Sequence, residues 1–158
     1  MTGLVARVSD RLSEAGCTLA LAESCTGGLL SARLTDRAGA SRFLLAGLVT
    51  YSNQAKQDLL GVPGEALATY GAVSEQVARA MVEGARARTG AHAALAITGI
   101  AGPGGGTAEK PVGTVWIGAS LGDSTVTRRY TFDGGRDRIR AASVRAALEL
   151  LEELLVTS

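Results

Sequence analysis

A chain of 158 residues with 46% hydrophobic and 20% charged residues has the size and composition of one globular domain. At that length roughly 70% of the unfolded surface is buried on folding, so neither a disulfide nor a metal is needed to hold the core. The formal net charge of +1 means that composition imposes no strongly basic face for nucleic acid.

The segment 2–15 carries Leu4, Val5, Val8, Leu12 and Ala15 on one stripe, which predicts an amphipathic helix stopped by Gly16. Arg7, Asp10, Arg11 and Glu14 interrupt that segment where a signal peptide is apolar, and no apolar run approaches the about 18 residues of a membrane span. Residues 18–23 read as a short buried strand, followed by Ser24-Cys25-Thr26-Gly27-Gly28 and a helix through Leu29, Leu30, Ala32, Arg33 and Leu34. Residues 46–51 read as a second strand. Ser52 and Asn53 cap a short helix through Lys56 to Leu60, ended by Gly61, and a helical turn covers 64–69. Ser74 opens a helix to about Arg88 with Val77, Ala80, Met81, Gly84 and Ala85 on its apolar face. Residues 91–98 form a third strand, 112–121 a fourth, and Gly122-Asp123 turns into a fifth at 124–132. The chain closes on a long helix, Arg136 to Val156, with Ile139, Val144, Ala147, Leu148, Leu151 and Leu155 as its stripe.

Helices and strands alternate early and a hairpin comes late. The expected fold is therefore α/β: a three-layer α/β/α sandwich with a mostly parallel mixed sheet and an antiparallel edge hairpin, formed by residues 1–158 as one domain. Ligands of such sheets bind beyond the carboxyl ends of the strands.

Two cysteines, Cys17 and Cys25, make no disulfide framework and lack zinc-site spacing, which fits a reducing cytoplasm and no metal site. The single histidine, His92, rules out a centre built on several imidazoles. It sits at the start of a predicted strand, the end away from ligands, so a packed or surface role is expected rather than a Ser-His-Asp triad. The chain holds 14 arginines but only two lysines, Lys56 and Lys110; lysine, unlike arginine, becomes a base when burial or nearby cations lower its pKa.

Four segments carry candidate chemistry. Glu23-Ser24-Cys25-Thr26-Gly27-Gly28 brings hydroxyls and free N–H groups to a helix start, where an anion is favoured; an ordinary capped helix start is the plain alternative. Thr98 to Thr107 holds five glycines in ten residues, without Walker A or Rossmann spacing, and is either a ligand cradle or a plain flexible loop. Tyr51-Ser52-Asn53-Gln54-Ala55-Lys56 joins Tyr, Ser and Lys as in hydrolases that use lysine to activate a hydroxyl; the alternative is a capped surface helix with a solvated lysine. Arg136, Arg138 and Arg140 at a helix start oppose its dipole, which anion binding would offset, unless they form only a solvated face.

The successive motifs Ala22-Glu-Ser-Cys-Thr-Gly-Gly28, Val49-Thr-Tyr-Ser-Asn-Gln-Ala-Lys56, Gly71-Ala-Val-Ser-Glu75, Thr98-Gly-Ile-Ala-Gly-Pro103 and Lys110-Pro-Val-Gly-Thr-Val-Trp116 resemble, in order and over nearly the whole chain, the CinA C-terminal domain family. The resemblance implies a nicotinamide-nucleotide amidase, which hydrolyses nicotinamide mononucleotide to nicotinate mononucleotide and ammonia in pyridine-nucleotide salvage, with no cofactor. Longer members carry an additional N-terminal nucleotide-pyrophosphatase domain, for which 158 residues leave no room, so only the amidase activity is implied.

On that reading Ser24 attacks the carboxamide carbon and Lys56, kept neutral by burial and a nearby arginine, takes the proton. Tyr51 relays the proton or steadies the oxyanion. Thr26, Gly27 and Gly28 supply donors, Thr98, Gly99 and Gly102 shape the floor, and Arg136 with Arg140 binds the 5′-phosphate. Cys25 is an alternative nucleophile, activated at a helix start. Two other readings stand beside this one: a non-catalytic nucleotide-binding or protein-interaction module of the competence-linked type, and an amidase for another small nucleotide or amide. The expected partner is a small-molecule nucleotide, with no direct nucleic acid and no membrane. Apolar stripes on the terminal helices, if exposed, suit a homo-oligomer.

Overall fold

Apolar periodicity decides the layers. The structure, a computed structural model, describes residues 1–158. Its strands are β1 (Leu19–Glu23), β2 (Leu44–Val49), β3 (Ala93–Gly99), β4 (Thr114–Leu121) and β5 (Ser124–Thr131). They form one open sheet of order β2-β1-β3-β4-β5. β1 runs parallel to both β2 and β3, whereas β4 pairs antiparallel with β3 and β5 antiparallel with β4. The expected α/β/α sandwich with a mixed sheet and an antiparallel edge hairpin is therefore what the chain forms.

The helices are α1 (Thr2–Ala15), α2 (Leu29–Thr35), α3 (Asn53–Leu60), α4 (Gly64–Tyr70), α5 (Glu75–Thr89) and α6 (Arg136–Thr157). On one sheet face, Leu19, Leu21, Leu95, Ile97 and Ile117 pack with Leu4, Val8 and Leu12 of α1, Leu30 and Leu34 of α2, and Val144, Leu148 and Leu151 of α6. On the other, Ala20, Ala22, Ala94 and Ala96 meet Leu60, Leu67, Val77, Met81 and Val82 from the α3–α5 side. Strand residues thus alternate between faces as the pleat requires, with bulky side chains on one face and alanines on the other. The small residues admit helices very closely. A Cβ on Gly84 of α5 would lie 1.9 Å from the Leu60 carbonyl oxygen, and one on Gly118 of β4 would lie 2.9 Å from the Ala78 carbonyl oxygen.

The terminal helices bury most of their stripes against one another and the sheet, because α1 and α6 share one face, leaving Ala15 exposed and Leu155 half-buried. Little of the terminal stripes is thus left exposed for the homo-oligomer contact they were expected to offer. The large exposed apolar side chains are instead Leu45, Val49, Tyr51, Leu59, Tyr70 and Val156. No helix is long and apolar enough to cross a membrane.

Three strands start two residues away from the sequence reading. β2 spans 44–49 rather than 46–51, because Thr50 keeps only its N–H bond to β1 and both Thr50 and Tyr51 turn their carbonyls toward Lys56. β3 begins at Ala93: His92 and Thr18 bond each other across the preceding turn, His92 N–H donating to Thr18 Oγ1 and Thr18 N–H to His92 Nδ1. β4 begins at Thr114, after Gly113 turns the chain at φ 96. A single 3₁₀ turn, Ala40–Arg42, lies in a stretch that patterning left unassigned.

Candidate active site

The carboxyl ends of β1 and β2 bring the chemistry together. β1 ends at Glu23, and strand alternation sends the Glu23 side chain to the α2 face and the next residue, Ser24, toward the α3 face. Ser24 N–H donates to the Ile97 carbonyl of β3 at 3.0 Å, and Thr50 N–H to the Glu23 carbonyl at 2.8 Å. Ser24 is thus held between the ends of its two neighbouring strands.

Lys56 arrives from α3. Ser52 caps that helix by accepting the Ala55 N–H, and Gly61 closes it in the left-handed region, as the sequence signals require. Lys56 and Leu60, one turn apart, form the buried stripe of α3. At 1% exposure Lys56 is among the largest fully buried side chains of the protein. Its Nζ lies 2.9 Å from Ser24 Oγ, 2.8 Å from the Thr50 carbonyl oxygen and 3.1 Å from the Tyr51 carbonyl oxygen. No carboxylate pairs with it, and burial pulls its pKa below the ordinary lysine value. Burial is the cause; the nearby arginine that the sequence reading also invoked is not.

A neutral amine has two N–H donors and one lone pair. Around Nζ stand three acceptors, the Thr50 and Tyr51 carbonyls and Ser24 Oγ, and the Ser24 hydroxyl has the Tyr51 carbonyl oxygen at 3.4 Å as its own acceptor; once Nζ is neutral, its two N–H groups can stay on the carbonyls and its lone pair can turn to the Ser24 hydroxyl. In that form the amine can take a proton from the hydroxyl.

The turn after Ser24 is shaped by Gly27 and Gly28 at φ 56 and 105, a region that costs other residues. Arg140 of α6 clamps the turn, donating from Nε to the Cys25 carbonyl at 3.2 Å and from Nη2 to the Thr26 carbonyl at 2.9 Å. Because a trans peptide points its C=O and N–H oppositely, this grip on the Cys25 carbonyl turns the Thr26 N–H away from Arg140. The Gly27 N–H, expected as a free donor, is taken by the Ser24 carbonyl at 3.0 Å, and the Cys25 N–H is directed at its own thiol; those of Thr26 and Gly28 have no acceptor within the protein.

Helix α2, however, does not offer its first N–H groups to a ligand. Glu23, fully buried, accepts the Leu30 N–H at 2.8 Å, the Ser31 N–H at 3.0 Å and the Ser31 hydroxyl at 2.8 Å. The anion expected at this helix start is a side chain of the protein itself. Sequence reasoning missed it; the available signal was a carboxylate ending an otherwise apolar strand just before a helix whose own cap position, Gly28, has no side chain.

The remaining candidates divide. Tyr51 contributes its carbonyl to the Lys56 cradle, whereas its side chain is 60% exposed and its hydroxyl accepts from Arg136 Nη2 at 3.2 Å. That hydroxyl contacts neither Ser24 nor Lys56, so the proton-relay expectation lacks its geometry. The exposed Arg136 also donates to the Gly102 carbonyl at 2.7 Å, spanning the ends of β2 and β3. Thr98 lies beside Ser24, with its hydroxyl donating to the Ala72 carbonyl at 2.9 Å. Gly99 and Gly102 serve internal packing, since a Cβ would lie 2.7 Å from Val115 Cγ2 and 2.5 Å from Val112 Cγ1, respectively. Cys25 is buried and its thiol is pushed up to about 11, chiefly by burial, against the hydrogen bond from its own backbone N–H and the pull of Arg136, Arg140 and Lys56. A thiol of that kind stays protonated at neutral pH and is a poor nucleophile. His92 lies at the opposite end of the sheet, beside a cavity of about 620 Å³ lined also by Arg11, Glu14 and Cys17. The Ser24–Lys56 pair lines none of five cavities of about 280–620 Å³; Ser24 keeps 8% exposure.

The CinA C-terminal domain family model matches residues 1–155. A CinA-like protein of Mycolicibacterium gilvum is 55% identical over 95% of this chain, and one of Geobacter sulfurreducens is 53% identical over 96%. The chain spans about 36% of the length of the curated relatives it matches. Among solved structures, the competence/damage inducible protein CihA of Agrobacterium tumefaciens is 46% identical with a TM-score of 0.94, covering 97% of this chain and 94% of that one. The competence damage-inducible protein A (ComA) of Klebsiella pneumoniae is 41% identical with a TM-score of 0.95, covering 98% and 96%.

Proposed function

The chain belongs to the CinA C-terminal domain family, and from that premise we propose that it is a nicotinamide-nucleotide amidase using Ser24 and Lys56. The observation that carries the reading is the buried Lys56 amine 2.9 Å from the Ser24 hydroxyl with no acidic partner. Ser24 Oγ attacks the carboxamide carbon of nicotinamide mononucleotide while its proton passes to Lys56 Nζ. The resulting oxyanion draws on the main-chain N–H groups of the 25–28 turn, of which those of Thr26 and Gly28 have no partner in the protein. Collapse breaks the C–N bond, Lys56 returns the proton to the leaving nitrogen, and ammonia departs. Water, deprotonated by Lys56, then cleaves the acyl-serine ester, restoring Ser24 and releasing nicotinate mononucleotide.

Arg136, exposed at the mouth and already bonded to the Tyr51 hydroxyl, is the 5′-phosphate ligand in this scheme; Arg140 holds the turn. Tyr51 then supplies a carbonyl to Lys56 and a phenol to the mouth. The substrate is a cytoplasmic small molecule, and no cofactor, nucleic acid or membrane enters the scheme. A homo-oligomer, if formed, has Leu45 and Val49 of the edge strand β2 as its apolar surface.

The test is incubation of the purified chain with nicotinamide mononucleotide and assay of ammonia and nicotinate mononucleotide, with Ser24→Ala as control. Equal release of both products, absent in the control, is the expected result. No release from either protein would favour a non-catalytic module. Equal turnover of nicotinamide riboside would favour an amidase for other small amides.

A further inference from the structure

We propose that Glu23 is a positioning residue that holds Ser24 in line with Lys56, an inference that rests on Ser24 being the nucleophile. A buried carboxylate without a cation is costly unless several donors meet it. Glu23 has no salt-bridge partner, yet its two oxygens take three hydrogen bonds from the first turn of α2. Two of the donors, Leu30 N–H and Ser31 N–H, are among those a helix start leaves unpaired. The cap position itself is Gly28, which makes no side-chain cap bond. Glu23 therefore supplies the missing cap from across the turn and staples α2 to the end of β1.

Residues 24–28 lie inside that staple. Two of them are glycines with positive φ, so the local sequence holds the turn only weakly. The main chain of Glu23 fixes the other half of the pair: its carbonyl takes the Thr50 N–H, and the Thr50 carbonyl takes Lys56 Nζ. One residue thereby ties the Ser24 turn through its carboxylate and the Lys56 cradle through its backbone. Its side chain lies across the sheet from Ser24 and touches no reacting atom.

Glu23→Gln keeps the shape but replaces one accepting oxygen with an NH₂ that faces an N–H of Leu30 or Ser31. The staple loses at least one bond and gains a donor–donor contact. The readouts are steady-state ammonia release from nicotinamide mononucleotide and the rate at which phenylmethylsulfonyl fluoride modifies Ser24, followed by intact mass. In the latter, Oγ bonds to sulfur, fluoride leaves and the hydroxyl proton passes to Lys56. For Glu23→Gln we expect a tenfold or larger fall in kcat and in the Ser24 labelling rate, with KM changed less than threefold. Leu12→Ala, a core change on α1, should label at the parental rate where it remains folded. Ser31→Ala, which keeps both N–H bonds, should fold and label about threefold more slowly, and it decides the matter if Glu23→Gln does not fold. Parental labelling of Glu23→Gln, or of Ser31→Ala in its place, overturns the inference, as does equal slowing in Leu12→Ala. If the parent releases no ammonia but Ser24 is labelled, the substrate reading fails and the labelling comparison still decides the role of Glu23. If Ser24 of the parent resists the reagent, the inference falls with the nucleophile.

Discussion

Replacing Lys56 by methionine keeps an unbranched buried chain of similar length and removes only the amine. In the folded protein that amine meets Ser24 Oγ, the Thr50 carbonyl and the Tyr51 carbonyl within 3.1 Å and is 1% exposed, so neither water nor another base takes its place. A positioned general base contributes about 10²–10⁴ in rate. At about 1.36 kcal/mol per tenfold, this is roughly 2.7–5.4 kcal/mol of transition-state stabilisation. Two carbonyls lose their donor, at about 1–3 kcal/mol for each group left unsatisfied, while removal of a desolvated amine opposes that loss. We therefore expect kcat/KM for nicotinamide mononucleotide to fall at least a hundredfold and net stability to fall by no more than about 3 kcal/mol. Continuous ammonia release and urea unfolding measure the two. The pH dependence gives an independent check. Burial lowers the Lys56 pKa in the folded state, so between the folded and unfolded values the unfolded chain binds more protons and stability rises with pH; below the folded value the full penalty applies. The same titration makes kcat/KM rise with pH as the amine becomes neutral. Lys56→Met should lose both slopes. Turnover near the parental level in a folded Lys56→Met protein would refute the reasoning.

Three further outcomes follow from the same geometry. Cys25→Ala should keep kcat within about threefold, because the buried thiol is protonated at neutral pH; loss of activity in steady-state assays would reinstate it as a participant. Arg136→Gln should raise KM for nicotinamide mononucleotide more than tenfold while leaving KM for the riboside unchanged, as expected for loss of a charge-assisted phosphate contact worth about 1.5–3 kcal/mol; equal effects on both substrates would detach Arg136 from the phosphate. Gly84→Ala should destabilise the protein by about 1–3 kcal/mol in urea unfolding, since its Cβ would lie 1.9 Å from the Leu60 carbonyl oxygen and push α3 away from α5. As α3 carries Lys56, kcat should fall as well, and an unchanged urea midpoint would contradict the packing.

Sequence patterning alone determined the secondary elements, the layer order and the segments at the strand ends, because 3.6- and 2-residue periodicities and cap chemistry are local properties of the chain. Ser52, Gly61 and Gly16 mark helix ends in the sequence just as they do in the fold. The motif that includes Ser24 and the one that includes Lys56 were both legible. Tertiary structure decided which groups meet. Ser24 and Lys56, 32 residues apart, come within 2.9 Å because the parallel register of β1 and β2 aligns the strand ends and α3 packs over one face. Only the pleat shows that Glu23 faces α2 and occupies the helix start expected to bind a ligand anion, and that the Tyr51 side chain turns outward while its carbonyl turns in. Burial is likewise a property of the assembled layers. The same lysine in a solvated helix would be an ordinary cation, and desolvation between α3 and the sheet is what favours its neutral form.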